Sequence, residues 1–213
     1  SDPARLALKL PPLKGESSFK IVLRLLPDGE LKIPQFADKP PESFEALTKG
    51  GAPLWETVLS TSGVPGKEDN AYTADSLTPP FENPWKAVLK FTGVDFFSDG
   101  RAALSTMAGD VWVVSGIDAE LKNLQWKRFA AGLNFPLGLK IVDNIVHVLD
   151  RNQITRLHDI NGDGEADWYE NFNNECQTAN PREGFHMDLH TDRAGNFYFA
   201  GDNHYDRTEH RTT

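Results

Sequence analysis

Gly138-Leu139-Lys140-Ile141-Val142-Asp143-Asn144-Ile145-Val146-His147-Val148 is the stretch whose reading decides the fold. Two short runs rich in β-branched residues flank Asp143-Asn144, a pair that tolerates the left-handed backbone of an I′ turn, so the segment reads as a β-hairpin. The same order recurs on either side. Ala103-Leu104-Ser105-Thr106-Met107-Ala108-Gly109-Asp110-Val111-Trp112-Val113-Val114 turns at Gly109-Asp110, and Asp188-Leu189-His190-Thr191-Asp192-Arg193-Ala194-Gly195-Asn196-Phe197-Tyr198-Phe199-Ala200 turns at Gly195-Asn196. In each the strand after the turn is the more apolar, and I′-type turns are expected at all three. Asp110, Asn144 and Asn196 are spaced by roughly 34 and 52 positions, about 43 on average, close to the blade length of a β-propeller. A β-sandwich also has short strands and turns, but not a hairpin repeated so regularly. The expected fold is all-β: a partial β-propeller with about three blades in residues 85–213, the last cut after its second strand. The remaining blades would belong to a larger protein.

Outward from the repeats, residues 1–84 read as an N-terminal hairpin followed by an irregular extension. Phe19-Lys20-Ile21-Val22-Leu23-Arg24-Leu25-Leu26 and Leu31-Lys32-Ile33-Pro34 flank the turn Pro27-Asp28-Gly29-Glu30. Pro40-Pro41, Gly50-Gly51, Pro65-Gly66 and Pro79-Pro80 then punctuate a stretch of little periodicity, with one short helix expected around Pro41 to Thr48. Loops this long rarely stand free in a compact domain, so the extension is expected to pack on another part of the chain.

Bulk composition narrows the partners. The 213 residues carry a net charge of −9 with pI near 5.1, which disfavours a phosphate backbone or an anionic membrane. No apolar run reaches 18 residues, so no membrane span is expected, and Ser1-Asp2-Pro3 is not a signal peptide. Cys176 is the single cysteine, which excludes an intrachain disulfide, a cysteine zinc cluster and a C-x-x-C-H haem attachment. No Gly-x-Gly-x-x-Gly, Walker loop, Gly-x-Ser-x-Gly or His-Glu-x-x-His occurs, so the common nucleotide and hydrolase chemistries have no support.

The longest interval in the repeat contains Asp159-Ile160-Asn161-Gly162-Asp163-Gly164-Glu165-Ala166-Asp167-Trp168-Tyr169-Glu170. Oxygen-bearing side chains stand at positions 1, 3, 5, 7, 9 and 12 with glycine at 6, the spacing of an EF-hand calcium loop. Ca²⁺ takes six to eight oxygens, and the expected ligands are Asp159, Asn161, Asp163, Asp167, Glu170 and the backbone carbonyl of Glu165. A plain Asn/Asp/Gly surface turn explains the glycines but not the carboxylates at 9 and 12. Gln153-Ile154-Thr155-Arg156-Leu157-His158 before the loop reads as a strand, so the calcium is expected to be structural, fixing a connection between strands.

The stretches 95–106, Gly109-Asp110-Val111-Trp112, 126–133, Pro136-Leu137-Gly138-Leu139, 156–167 and 195–200 resemble the propeller of large multi-domain secreted proteins of planctomycete and verrucomicrobial bacteria. Those propellers are similar to soluble aldose and sorbosone dehydrogenases. The resemblance covers roughly 83–203 and implies a secreted or periplasmic protein with calcium in the propeller. It also implies oxidation of a sugar or alcohol, with electrons passed to pyrroloquinoline quinone or to a haem on a separate domain. No motif in this chain fixes either group.

His186, Asp188 and His190 alternate along one expected strand, and a period of two puts them on one face. Such a face suits a base with an orienting carboxylate, or a metal; equally it suits a polar edge strand facing solvent. His204 and His210, with Asp202, Asp206 and Glu209, extend a histidine-rich end that Arg207 and Arg211 would equally make a salt-bridged surface. His147, between Val146 and Val148, is expected to face opposite to them and reads as structural, and Trp85, Trp112, Trp126 and Trp168 read as packing between blades rather than as sugar platforms. Two functions follow: a calcium-binding propeller segment of a sugar or alcohol oxidoreductase, or a non-catalytic propeller binding carbohydrate or protein within a larger assembly.

Overall fold

The computed structural model describes residues 21, 43–67, 71–175 and 184–201. The expected hairpin at 19–34, Cys176 and the acidic and basic residues and histidines from Asp202 onward lie outside them. By their contacts the residues fall into two units, Ser1–Ala46 and Leu47–Thr213. In the first, the Ser43 hydroxyl accepts from the Glu45 N–H at 3.4 Å where a 3-10 helix, Glu45–Lys49, begins.

In chain order the strands are β1 (Leu59–Thr61), β2 (Gly63–Val64), β3 (Ser76–Leu77), β4 (Phe91–Phe96), β5 (Ala102–Thr106), β6 (Val111–Ser115), β7 (Leu124–Ala130), β8 (Gly138–Val142), β9 (Ile145–Leu149), β10 (Ile154–His158), β11 (Trp168–Asn173), β12 (His186–Thr191) and β13 (Phe197–Gly201). Every pairing is antiparallel. The first sheet runs β1-β7-β6-β5-β4, the second β11-β10-β9-β8, the third β12-β13, and β2-β3 forms a small ribbon; none closes on itself. No α-helix occurs among the described residues, and no helix there is long and apolar enough to cross a membrane.

The period of two in the sequence becomes two-sided packing. Val111 and Val113 of β6 join Ala103, Phe129, Leu139, Val146, Val148 and Leu157 in one core, which lies between the first and second sheets. Trp112 and Val114, the alternate residues, face a second core with Leu89, Leu121, Leu124 and Trp126. Leu59, Leu77, Trp85 and Ala87 pack against that second core, so the extension covers the far face of the first sheet. On the far face of the second sheet, Leu149 and Ile154 meet Leu189 of β12, with Phe172 and Phe197 beside them. Residues 47–84 thus belong to the same unit as the sheets.

The sheets touch most closely at β4, β8 and β12. Thr92 of β4 donates to the Pro136 carbonyl at 2.6 Å, and the Asp95 carboxylate accepts the Ile141 N–H at 2.8 Å and lies 2.7 Å from Lys140 Nζ. Burial pushes the Asp95 carboxyl upward, but the Ile141 N–H and Lys140 together hold it below the usual carboxylate range. One step on, the Asp188 N–H donates to the Leu137 carbonyl at 3.0 Å. Glycine permits both approaches: a Cβ on Gly93 would sit 2.8 Å from the Leu139 nitrogen, and one on Gly138 would sit 2.7 Å from the Asp188 carbonyl carbon.

All three expected hairpins form, but only one uses the expected turn. At Asp143 and Asn144 φ is 52° and 60°, the I′ signature. Thr106 and Asp192 instead each donate an N–H to the carbonyl four residues on, with Gly109 and Gly195 at φ 105° and 85°. These are three-residue loops closed by a left-handed glycine, and Phe97 to Arg101 repeats them between β4 and β5.

Candidate functional site

The Asp/Asn/Gly loop joins β10 to β11. Its base is closed by the Asp167 N–H donating to the His158 carbonyl at 2.8 Å, and His158 faces Trp168 in the ladder. Inside the loop, Asp159 Oδ1 accepts from the Gly162 and Asp163 N–H groups at 2.7 and 3.1 Å, and Oδ2 accepts from Gly164 at 2.9 Å. Asn161 Oδ1 accepts from the Asp163 N–H and Asp163 Oδ1 from the Glu165 N–H, so each acceptor folds the next step of the loop.

Long-range contacts then fasten a strap, residues 50–55, across this loop. Gly51 N–H donates to Asp167 Oδ1 at 2.7 Å, while Asn161 Nδ2 donates to the Gly51 carbonyl at 2.7 Å and to Asp163 Oδ2 at 3.0 Å. Burial opposes charge on Asp167, yet the Gly51, Ile160 and Asn161 N–H groups hold its carboxyl below the usual range. The Glu165 carboxylate, 5 % exposed, accepts the Leu54 and Trp55 N–H groups at 2.6 and 2.8 Å. From β7, Lys127 donates to the Asp163 carbonyl at 2.6 Å and lies 3.7 Å from Glu165 Oε1. Its neighbour Arg128 pairs with buried Asp110 at 2.7 Å, beneath the Trp55 ring.

This geometry sorts the six expected metal ligands. Asp159, Asn161, Asp163 and Asp167 are brought together on one nine-residue loop. The Glu165 side chain is spent on the strap, which leaves its backbone carbonyl as the atom it could offer a cation. Glu170 is engaged elsewhere: it stands in β11 opposite Arg156, 2.8 Å from His158 Nε2 and 3.5 Å from Arg156 Nη1. The His158 contact, and then Arg156, hold its carboxyl below the usual range. Among the described residues, no three His, Cys, Asp or Glu side chains converge as a metal cluster. In this conformation the carboxylates instead accept N–H groups of the loop and strap. The donors are hard oxygens, the type that Ca²⁺ takes, and Asn161 Nδ2 stands between two of the oxygens, Gly51 O and Asp163 Oδ2.

His186, Asp188 and His190 do not share a face. The ladder between β12 and β13 slips between Met187 and His190, and Asp188 takes φ 64°, so the strict alternation assumed from the sequence breaks at this bulge. His186 turns inward, 5 % exposed, against the Phe199 ring and 3.2 Å from the Arg151 carbonyl. Asp188 and His190 turn outward together, Oδ2 to Nε2 at 3.0 Å, both largely exposed.

His147 is buried as expected, accepting from Arg156 Nε at 3.0 Å and packed on Phe172 and Phe197. Burial pushes its pKa below the ordinary histidine value. Trp112 and Trp126 are interior, and Trp85 packs on Trp112. Trp168 differs: it is half exposed and stacks on His158 at 4.6 Å.

The strap, Lys127 and the outer turn residue Asp150 were not singled out by sequence. Glu165 and Leu54 are 111 residues apart, and no local pattern announces such a contact. The fold and site therefore define a class no finer than an all-β protein of stacked antiparallel sheets with an oxygen-rich hairpin loop. No family model, no curated protein and no solved structure matches this chain.

Proposed function

We propose that this chain is a calcium-binding portion of a β-propeller in an exported protein, and that the ion holds the β10–β11 connection and the strap together. The observation that carries the calcium reading is the loop itself: Asp159, Asn161, Asp163 and Asp167 stand at positions 1, 3, 5 and 9, and the Glu165 side chain is drawn to the strap N–H groups. Two features favour the propeller. The sheets stack face to face through separate apolar cores, and one strand of each, β4, β8 and β12, lies beside the next. Bound calcium would neutralise the carboxylates of the loop, and the loop and strap residues would supply the contacts that it fastens.

Calcium at about one hundred times its dissociation constant should stabilise the protein by roughly 2.7 kcal/mol, a rise in melting temperature of about 5–10 °C over the chelated protein. Asp159→Ala and Asp163→Ala should abolish that rise. Melting curves that ignore both chelator and substitutions would leave the loop as a plain turn.

One observation favours an oxidoreductase: in the Asp188–His190 pair a carboxylate orients an imidazole able to take the proton of a substrate hydroxyl. A tricarboxylated quinone needs several cations, and the described ion pairs bring no lysine or arginine to this pair, so no step is assigned to that group. Sugar-dependent dye reduction lost in His190→Gln would establish the enzyme. Absence of turnover with the quinone supplied would favour the propeller as a binding framework.

A further inference from the structure

A cavity of about 450 Å³ lies between the first and second sheets, at the end where the β4–β5 and β8–β9 turns meet. Its floor is apolar: Phe97, Val113, Phe129 and Leu157 line it, each at most 9 % exposed. Its rim is polar. Ser115 faces Gln125 across the β6–β7 ladder, and Arg101 stands one step before the Ala102–Val114 pair, so the three form a row across the strand ends. Asn144 completes the rim from the second sheet, where its Oδ1 accepts the Ser98 N–H at 2.9 Å.

The rim is rich in uncommitted donors and short of acceptors. A backbone N–H can only donate, so the Ser98 bond fixes the Asn144 amide with its oxygen spent and its NH₂ unpaired among the described residues. Gln125 Oε1 likewise accepts from the Ser60 hydroxyl at 3.0 Å. Asp99 holds Arg101 by Nε at 2.8 Å, and the guanidinium lies 4.8 Å over the Phe97 ring, which leaves both Nη groups without a hydrogen-bond partner among the described residues. Arg101 and Asn144 are exposed, so a guest in the cleft reaches both. The Asp159 carboxylate is turned into its own loop, accepting three N–H groups. Nor does the cleft call for an anion: Arg101 is already paired with Asp99, and Lys127 is drawn to the Asp163 carbonyl and Glu165. A fitting guest is neutral, offers an oxygen that accepts, and carries an apolar body for the floor; the volume is that of a small-molecule site.

We infer that this cleft is a binding site for a small neutral carbonyl compound of the amide class, whose oxygen accepts from Asn144 Nδ2 and the free edge of Arg101 while its carbon skeleton rests on Val113, Phe129 and Leu157. The site adjoins the calcium loop at Asp159 and Gly164 but uses none of its oxygens, and it stands whether or not that loop binds a metal.

The test is a titration of the full chain with N-methylcaprolactam, whose carbonyl accepts and which has no N–H, followed by NMR. Cyclohexylammonium chloride and sodium cyclohexanecarboxylate, of similar ring size, are the controls. Asn144→Asp keeps the acceptor for Ser98 and tolerates the φ of 60° but lacks the NH₂, and Ser115→Phe fills the cleft from its half-buried rim; thermal melting confirms that each is folded. The expected result is saturable N-methylcaprolactam binding that shifts the methyl signals of Val113 and Leu157, with both charged compounds at least tenfold weaker and affinity at least tenfold lower in each folded variant. Undiminished binding by either folded variant, binding of either charged compound as tight as that of the amide, or no saturable binding would each overturn the assignment.

Discussion

Gly138→Ala should lower the stability of this protein by about 3 kcal/mol, a fall in melting temperature of roughly 6–12 °C. The new methyl would lie 2.7 Å from the Asp188 carbonyl carbon and 2.9 Å from the Leu189 nitrogen. Both atoms are backbone, so no side chain can swing aside; β8 and β12 must separate. Separation would also lengthen the Asp188 N–H bond to Leu137 and loosen Leu189 from Leu149 and Ile154. Gly93→Ala should act similarly between β4 and β8. Gly51→Ala, with nothing within 4 Å of its Cβ, should change stability by no more than about 0.5 kcal/mol. Thermal unfolding of the three variants checks this, and equal effects would show that the sheets do not rely on close backbone contact.

The second large effect is pH-dependent. Burial pushes the Asp150 carboxyl up to about 6, opposed in part by the Thr155 hydroxyl. With an unfolded value of 3.8, the folded protein holds this proton more tightly between those two pH values. The residue's contribution to stability is therefore most favourable below about pH 4 and is lost as pH rises through about 6. The ionised form at pH 7 carries a penalty on the order of 3 kcal/mol. Asp150→Asn, which cannot ionise, should be more stable than the parent by roughly 2–3 kcal/mol at pH 7 and indistinguishable from it near pH 4. Denaturant unfolding at several pH values reads the gap directly; a gap independent of pH would mean that Asp150 does not titrate as its burial requires.

What sequence could reveal was local. The hairpins around Asp143-Asn144, Gly109-Asp110 and Gly195-Asn196 were legible because each turn needs residues that tolerate particular backbone angles. The turn type was legible only where both central residues are left-handed, at Asp143 and Asn144. The oxygen spacing of 159–167 was legible for the same reason, whereas Glu170 was not separable from it, since its pairing with His158 and Arg156 depends on strand register. His186 was placed on the wrong face because a single left-handed residue, Asp188, resets the alternation after it. Nothing in the spacing of Leu54, Trp55 and Glu165 could announce their contact. Asp150 carries no signal in the sequence, and only the strands around it show that one of its oxygens is shut away from solvent.

The strap also fixes an order of events during synthesis. Leu54 and Trp55 leave the ribosome 111 and 110 residues ahead of Glu165, the carboxylate that receives their N–H groups, and β1 precedes the β7 edge on which it pairs. At about 5–20 residues per second, the strap waits roughly 5–20 seconds for its partner. During that interval the β1 edge and the Leu54 and Trp55 N–H groups wait for partners that have not yet been made, whereas the two strands of each later hairpin emerge together.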